Sequence, residues 1–261
     1  MGDTTPVEFA SCIAQITAAT TVTYLPAAED VKGFSCENEP DLIVLMAVRP
    51  GEYTDAAVER LRYVAPMARI VGLLGSWCEG EARTGHPWPA VPRIYWHRWQ
   101  SWFDRELTLL AAGRCGTLSL PITAIEEERL LHLAAIPAAG SNATRRKIVL
   151  HSPSREMTAM LAEFCCSMGM ETASFDDCDS DAAPTIGIFD IEACHEAALT
   201  ELRHQAAKWP ALRWILLMGF PRPEDHRRAK EAGAAIVVSK PLLLDELQGA
   251  LAQIAGEPAP F

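Results

Sequence analysis

In the second half of the chain, short unbroken apolar runs alternate with polar stretches of helical period. The runs predict strands over 148–150, 171–175, 185–190, 213–218 and 235–240. Between the first two, Met157, Met160, Leu161, Phe164 and Met168 form one stripe at helical spacing. Ser154 stands where an N-cap belongs and Gly169 where such a helix ends. The stripe reads as core, methionine being an adaptable filler of core space. Helices are expected over 197–207 and 223–232, and a last one carries Leu244, Leu247, Leu251 and Ile254. Strands that are apolar throughout, rather than alternating, are those of a sheet covered on both faces. Five such strands alternating with five helices in about 110 residues predict a small, doubly wound parallel sheet. The acidic loop at 176–181 lacks the glycine and terminal glutamate of a calcium loop and reads as solvated.

The first half repeats the cadence. Apolar runs at 41–46, 69–74 and 93–98 precede three of the later strands by about 144 residues, with a drift of a residue or two, which argues for two copies of one architecture. Helices are expected from Pro6 to Thr17 and from Thr54 to Val64, with a strand over 21–25. A helical stretch over 122–135 leads into Pro137-Ala-Ala-Gly-Ser-Asn142, which has the composition of a linker. The expected domains are therefore 1–136, a linker over 137–146, and 147–256.

The segment from Lys147 to Ile254 resembles a response-regulator receiver domain of flavodoxin-like topology, with sheet order 2-1-3-4-5. The resemblance rests on Ala229-Lys-Glu-Ala-Gly-Ala-Ala-Ile-Val-Val-Ser-Lys240-Pro241-Leu, which is similar to the family's fourth helix, Gly-Ala turn and fifth strand ending in Lys-Pro. It implies that Asp190 stands at the phosphoacceptor position and Lys240 at the position of the lysine that contacts the phosphoryl group. It also implies chemistry at the carboxyl ends of the strands. The family's two magnesium-binding acids are replaced by His151 and Ser152, and its hydroxyl position by Met218 beside Gly219. A hard cation requires oxygen ligands and negative charge, so weak or absent Mg²⁺ binding is expected, and no efficient phosphorylation. Lys240 is then expected to pair with Asp190.

Carried to the first half, the resemblance puts Met46 at the phosphoacceptor position and Arg98 near the lysine position, followed by Trp99 instead of proline. Almost no residues remain there for strand one, which belongs in the middle of the sheet. Residues 117–121 are the expected substitute, returning to fill or extend it. The whole reads as α/β, with two tandem flavodoxin-like, receiver-like domains, each a mostly parallel doubly wound sheet, the first irregular.

Hydrophobic residues make up 49% of the 261 residues and charged residues 22%, the balance of an ordinary globular chain. A formal charge of −11 argues against nucleic acid and anionic membrane as partners. The short basic cluster at 145–147 reads as the solvated start of a strand. No apolar run reaches the roughly 18 residues of a membrane span. The first residues lack the basic and apolar regions of a signal peptide, and no output domain is expected beyond Ile254. The eight cysteines show no CxxC pair, so reduced thiols and a cytoplasmic location are expected.

Five of the seven tryptophans fall between Gly75 and Trp102, in a stretch broken by proline and glycine. Trp77, Cys78, Arg83, His86, Trp88, Trp96, His97 and Arg98 are its candidate residues. Three readings stand side by side: tryptophans supplying core, a protein-binding loop, or a metal or nucleophile site around Cys78, His86 and His97 with Glu79 or Glu81. The expected function is non-enzymatic, that of a bacterial-type signalling adaptor working through protein partners without a cofactor. Its 226–254 face is a candidate homodimer surface. The alternatives are a phosphorelay regulator phosphorylated on Asp190 and an enzyme or metal protein centred on Cys78, His86 and His97.

Overall fold

A computed structural model describes residues 7–25, 39–80, 88–121, 123–124, 128–129, 132, 146–173 and 184–255. The chain divides into two compact units, Met1–Leu133 and Ala134–Phe261. Apart from Arg146, the expected linker lies outside the described residues, as do the acidic loop at 176–181 and most of the helix expected over 122–135.

In the first unit, α1 (Ala10–Ala19), β1 (Leu42–Ala47), α2 (Asp55–Val64), β2 (Arg69–Leu74), β3 (Arg93–Tyr95) and α3 (Trp99–Ala111) follow in order. The strands form a parallel sheet ordered β1-β2-β3. Thr54 caps α2, its hydroxyl accepting from the Ala57 amide. One face of the sheet packs Leu45, Ile70 and Leu74 against Val58 and Leu61 of α2 and against Trp88. The other packs Val71 and Leu73 against Phe9, Cys12 and the cluster Trp96, Trp99, Trp102 and Phe103.

Three expectations fail here. Residues 21–25 follow α1 without joining the sheet, although their β-branched composition suits a strand. Residues 117–121 do not return to the sheet. Thr117–Ser119 form a single 3-10 turn instead, fixed by buried Glu106, which accepts from the Thr117 amide and hydroxyl and the Leu118 amide. The strand expected over 93–98 stops at Tyr95, because Trp96 and Trp99 must both enter the core. A 3-10 turn over Trp96–Arg98, with its three-residue period, allows this where the two-residue period of a strand would not.

The second unit contains β4 (Lys147–His151), α4 (Arg155–Ser167), β5 (Glu171–Ala173), β6 (Ile186–Asp190), α5 (Glu196–Lys208), β7 (Arg213–Gly219), α6 (Pro223–Glu231), β8 (Ala234–Lys240) and α7 (Leu244–Ala255). All five strands are parallel, in the order β5-β4-β6-β7-β8, which is the 2-1-3-4-5 order of flavodoxin-like sheets. Helices α4 and α7 cover one face through Leu161, Cys165, Leu247 and Leu251, against Ile148, Ile186, Ile188 and Ile215. The opposite face packs Phe189, Trp214 and Leu216 against Leu199 and Leu202 of α5 and Ala229 of α6. Gly187 is required where it stands, since a Cβ there would lie 2.4 Å from the Trp214 ring. Ser154 caps α4 as expected, accepting from the Met157 amide. Two residues of the predicted stripes fall outside the core: Met168 is the C-cap of α4, and Leu244, at the start of α7, is 46% exposed.

Candidate functional site

In the second sheet, β6 and β8 both end on charged residues at the carboxyl rim, and β4 ends beside them. Asp190 is the last residue of β6 and Lys240 the last of β8, with β7 between them. Lys240 reaches across, its Nζ donating to Asp190 Oδ1 at 2.8 Å. From the other side, Ser152, just past β4, donates its hydroxyl to Asp190 Oδ2 at 2.7 Å. The Ser152 oxygen in turn accepts from the Ser154 amide at 3.1 Å, tying the site to the start of α4. Asp190 is only 4% exposed, so both carboxylate oxygens are engaged away from bulk water.

His151 stacks on Phe189, with ring centroids 4.2 Å apart and planes inclined by 14°. Burial lowers its pKa below the ordinary histidine value, against the opposing pull of Glu201 and Asp190. Met218 is fully buried in the α5-side core, filling space rather than presenting a polar group at the rim. Gly219 then passes close to the Glu192 carbonyl, 3.2 Å from where a Cβ would stand. Phe220 follows at φ 41° and is 65% exposed.

Chemically, this is one carboxylate neutralised by one ammonium and one hydroxyl. Among the described residues, no three His, Cys, Asp or Glu side chains gather to hold a metal ion. A magnesium ion at Asp190 would meet an imidazole and a hydroxyl at the positions of the two acids, and Lys240 would compete for the carboxylate. The donor set does not fit that ion.

The candidate residues of the first unit are dispersed. Met46 packs against the α1–α3 core, its carbonyl accepting from the Tyr53 hydroxyl. Cys78 is buried and donates to the Ala47 carbonyl at 3.5 Å. Trp88 is buried, its Nε1 bonded to the Tyr53 carbonyl, and Trp96 is buried in the opposite core. His97 Nε2 lies 3.1 Å from Glu79 Oε1, and burial holds its pKa below the ordinary value despite that partner. Arg98 stands on the 3-10 turn beyond β3, not at a strand end as Lys240 does. Trp77 is the exception: it is 70% exposed, with the Arg49 guanidinium 5.7 Å from its ring centre. Arg83 and His86 lie outside the described residues. The six described cysteines are free thiols.

Sequence reasoning missed a buried carboxylate at the carboxyl rim of the first sheet. Glu8, 7% exposed, accepts from both the amide and the hydroxyl of Ser76, just beyond β2. Its signal is an acid isolated in the apolar run Val7-Glu8-Phe9-Ala10, where only a fixed partner justifies burial.

No family model matches the chain, and no curated protein matches it. Solved structures do. A pilus assembly-related protein of Burkholderia pseudomallei is 20% identical, covering 45% of this chain and 92% of that one, at a TM-score of 0.39. A pilus assembly protein of Burkholderia thailandensis is 21% identical over 43% of this chain and 99% of that one, at 0.38. A response regulator of Thermotoga maritima is 14% identical over 44% of this chain and all of that one, at 0.37.

Proposed function

We propose that this chain is a signalling adaptor of two receiver-like units in tandem, acting through protein–protein contacts and not by catalysis. The observation that carries the reading is the state of Asp190: both its oxygens are taken by Lys240 and Ser152, and among the described residues no three His, Cys, Asp or Glu side chains gather to hold a divalent ion. The tandem reading is supported by strand order, since β1-β2-β3 and β6-β7-β8 are parallel triplets in the same sequence order. Protein partners suit a chain of net charge −11, and a reducing cytoplasm suits its free cysteines. Among the described residues, no helix is long and apolar enough to cross a membrane. The 226–254 face, made of α6, β8 and α7, is the proposed homodimer surface.

Incubating the full chain with a small-molecule phosphate donor and Mg²⁺ tests this reading, with Asp190→Asn as control. No incorporation above the control is expected. Stable, Mg²⁺-dependent labelling that vanishes in Asp190→Asn would establish the phosphorelay reading instead, which the retained Asp190–Lys240 contact favours.

A further inference from the structure

In the second sheet, the strand β6 is flanked on both sides, by β4 and by β7. Its counterpart in the first unit, β1, has β2 on one side and, among the described residues, no strand on the other. That free edge is specific. The carbonyls of Asp41 and Ala47 accept from the Arg69 and Gly75 amides of the β2 side. In a parallel ladder the intervening residues point the opposite way, so Leu42, Val44 and Met46 turn their amides and carbonyls to the open edge, where the Met46 carbonyl already accepts from the Tyr53 hydroxyl. A cavity of about 410 Å³ lies along it, walled by β1 and by residues 20–25 across the gap. Ile13, Ile16 and Phe103 close it on one face, and Tyr53 and Leu61 on the other. It occupies the position of β4 in the second unit: beside the strand that ends at the phosphoacceptor position, between two helix layers.

We infer that this slot receives a β-strand donated by another protein, running parallel to β1 and completing the first sheet. The occupant is defined by its walls. Apolar lining on both faces selects a short run of branched apolar side chains, since each face of an inserted strand meets a hydrophobic layer. Asp41, at the mouth where β1 starts, selects a basic residue at the start of a parallel strand. The strand β4 has this composition, Lys-Ile-Val-Leu-His. The edge itself, Leu-Ile-Val-Leu-Met-Ala, carries none of the charges, prolines or bulges that protect a solvent-facing edge. Edge pairing would supply affinity through the backbone, and the pockets specificity. The inference rests on the adaptor reading only in taking a protein as the partner, and it is independent of the state of Asp190.

The test uses the full chain and an acetylated, fluorescein-labelled peptide of residues 146–152, Arg-Lys-Ile-Val-Leu-His-Ser. Saturable binding by anisotropy is expected, with slowed amide exchange at Leu42, Val44 and Met46. Changing the peptide's lysine to glutamate should weaken it. Val44→Pro removes an edge-facing amide and leaves the β1–β2 ladder its bonds; it should weaken binding by at least about tenfold. The exchange measurement on the unmodified chain decides the matter even if that variant folds poorly. Three results would overturn the inference: no saturable binding, binding that leaves those amides unprotected, or edge amides already protected in the free chain by a second copy or another segment. Uptake of decanoate without uptake of peptide would likewise reassign the slot to an acyl chain. Failure on any of these counts leaves the phosphorylation test of Asp190 unaffected.

Discussion

Replacing Lys240 by methionine removes the ammonium and keeps most of the side chain's bulk, leaving Asp190 buried with the Ser152 hydroxyl still donating to it. Stranding a buried charge in this way costs about 3–5 kcal/mol. Asp190 is 4% and the Lys240 side chain 20% exposed, so water can partly replace the lost ammonium and the lower end, about 3 kcal/mol, applies. Asp190→Asn removes the charge yet leaves a carbonyl to accept from Ser152, and the freed lysine can turn to solvent. Its cost should be about 1–2 kcal/mol. In the double variant no charge is stranded, so the loss should fall short of the sum by about 1–3 kcal/mol. A chain of two units has no single unfolding transition to which these numbers could be assigned. Native-state hydrogen exchange of the peptides carrying β6 and β8 therefore provides the assay, since it reads the opening free energy of those strands directly. Additivity within about 0.5 kcal/mol would refute the reasoning, because Asp190 and Lys240 would then not be coupled and the contact between them would be incidental.

Three further outcomes follow from the same geometry. Replacing His151 and Ser152 together by aspartate restores two carboxylates next to Asp190. It should tighten Mg²⁺ binding, read by titration calorimetry, by roughly tenfold or more, the equivalent of ~1.4 kcal/mol; an unchanged titration would place the deficit elsewhere. His97 and His151 both have pKa values lowered by burial, so the unfolded chain binds the extra proton first. Stability should thus be full above the unfolded value near 6.5 and decline as pH falls toward the folded values, at up to ~1.4 kcal/mol per pH unit for the buried His97 and less for the partly exposed, solvent-screened His151. Denaturation midpoints that are flat between pH 7 and 5, or His97→Gln leaving the first unit's pH slope intact, would contradict this. Gly187→Ala drives a methyl against the Trp214 ring and should destabilise β6 by about 1–3 kcal/mol in the same exchange assay, whereas a null result would mean that the ring has room to move.

The second sheet was legible because its central strands carry unbroken apolar runs, such as Ile148–Leu150 and Trp214–Met218, and its helices announce their caps. Ser154 and Gly169 bracket α4 almost where the pattern places them, and Asp190 and Lys240 end their strands as the resemblance implies. The first unit was harder for identifiable reasons. Residues 21–25 have the composition of a strand, but composition cannot supply a hydrogen-bonded neighbour, and the adjacent place in the sheet is vacant among the described residues. Trp96 and Trp99 look like part of a strand and its exit until both are required in one core, which only a helical period provides. Of the three readings of the tryptophan-rich stretch, burial favours the core for Trp88, Trp96, Trp99 and Trp102 and leaves Trp77 outward. The contacts of Glu8 with Ser76 were illegible for another reason: nothing local couples residues 68 positions apart.

Glu8 also bears on the proposal that neither unit performs phosphotransfer. Each sheet has a buried carboxylate at its carboxyl rim, and in each the carboxylate is held by donors from neighbouring segments: Asp190 by the Ser152 hydroxyl and the Lys240 ammonium, Glu8 by the hydroxyl and amide of Ser76. A phosphoacceptor must keep one oxygen free for attack and share the other with a metal ion. A carboxylate whose hydrogen bonds close the rim instead becomes a structural cross-link, rewarded for permanence and not for turnover. In the first unit the carboxylate comes from Glu8, ahead of α1, and not from the strand β1, where Met46 packs into the core. On the adaptor reading, the rim of each unit serves as a fixed surface and not a reactive one. On the same reading, two surfaces are proposed for partners: the 226–254 face and the open edge of β1, which among the described residues has no neighbouring strand.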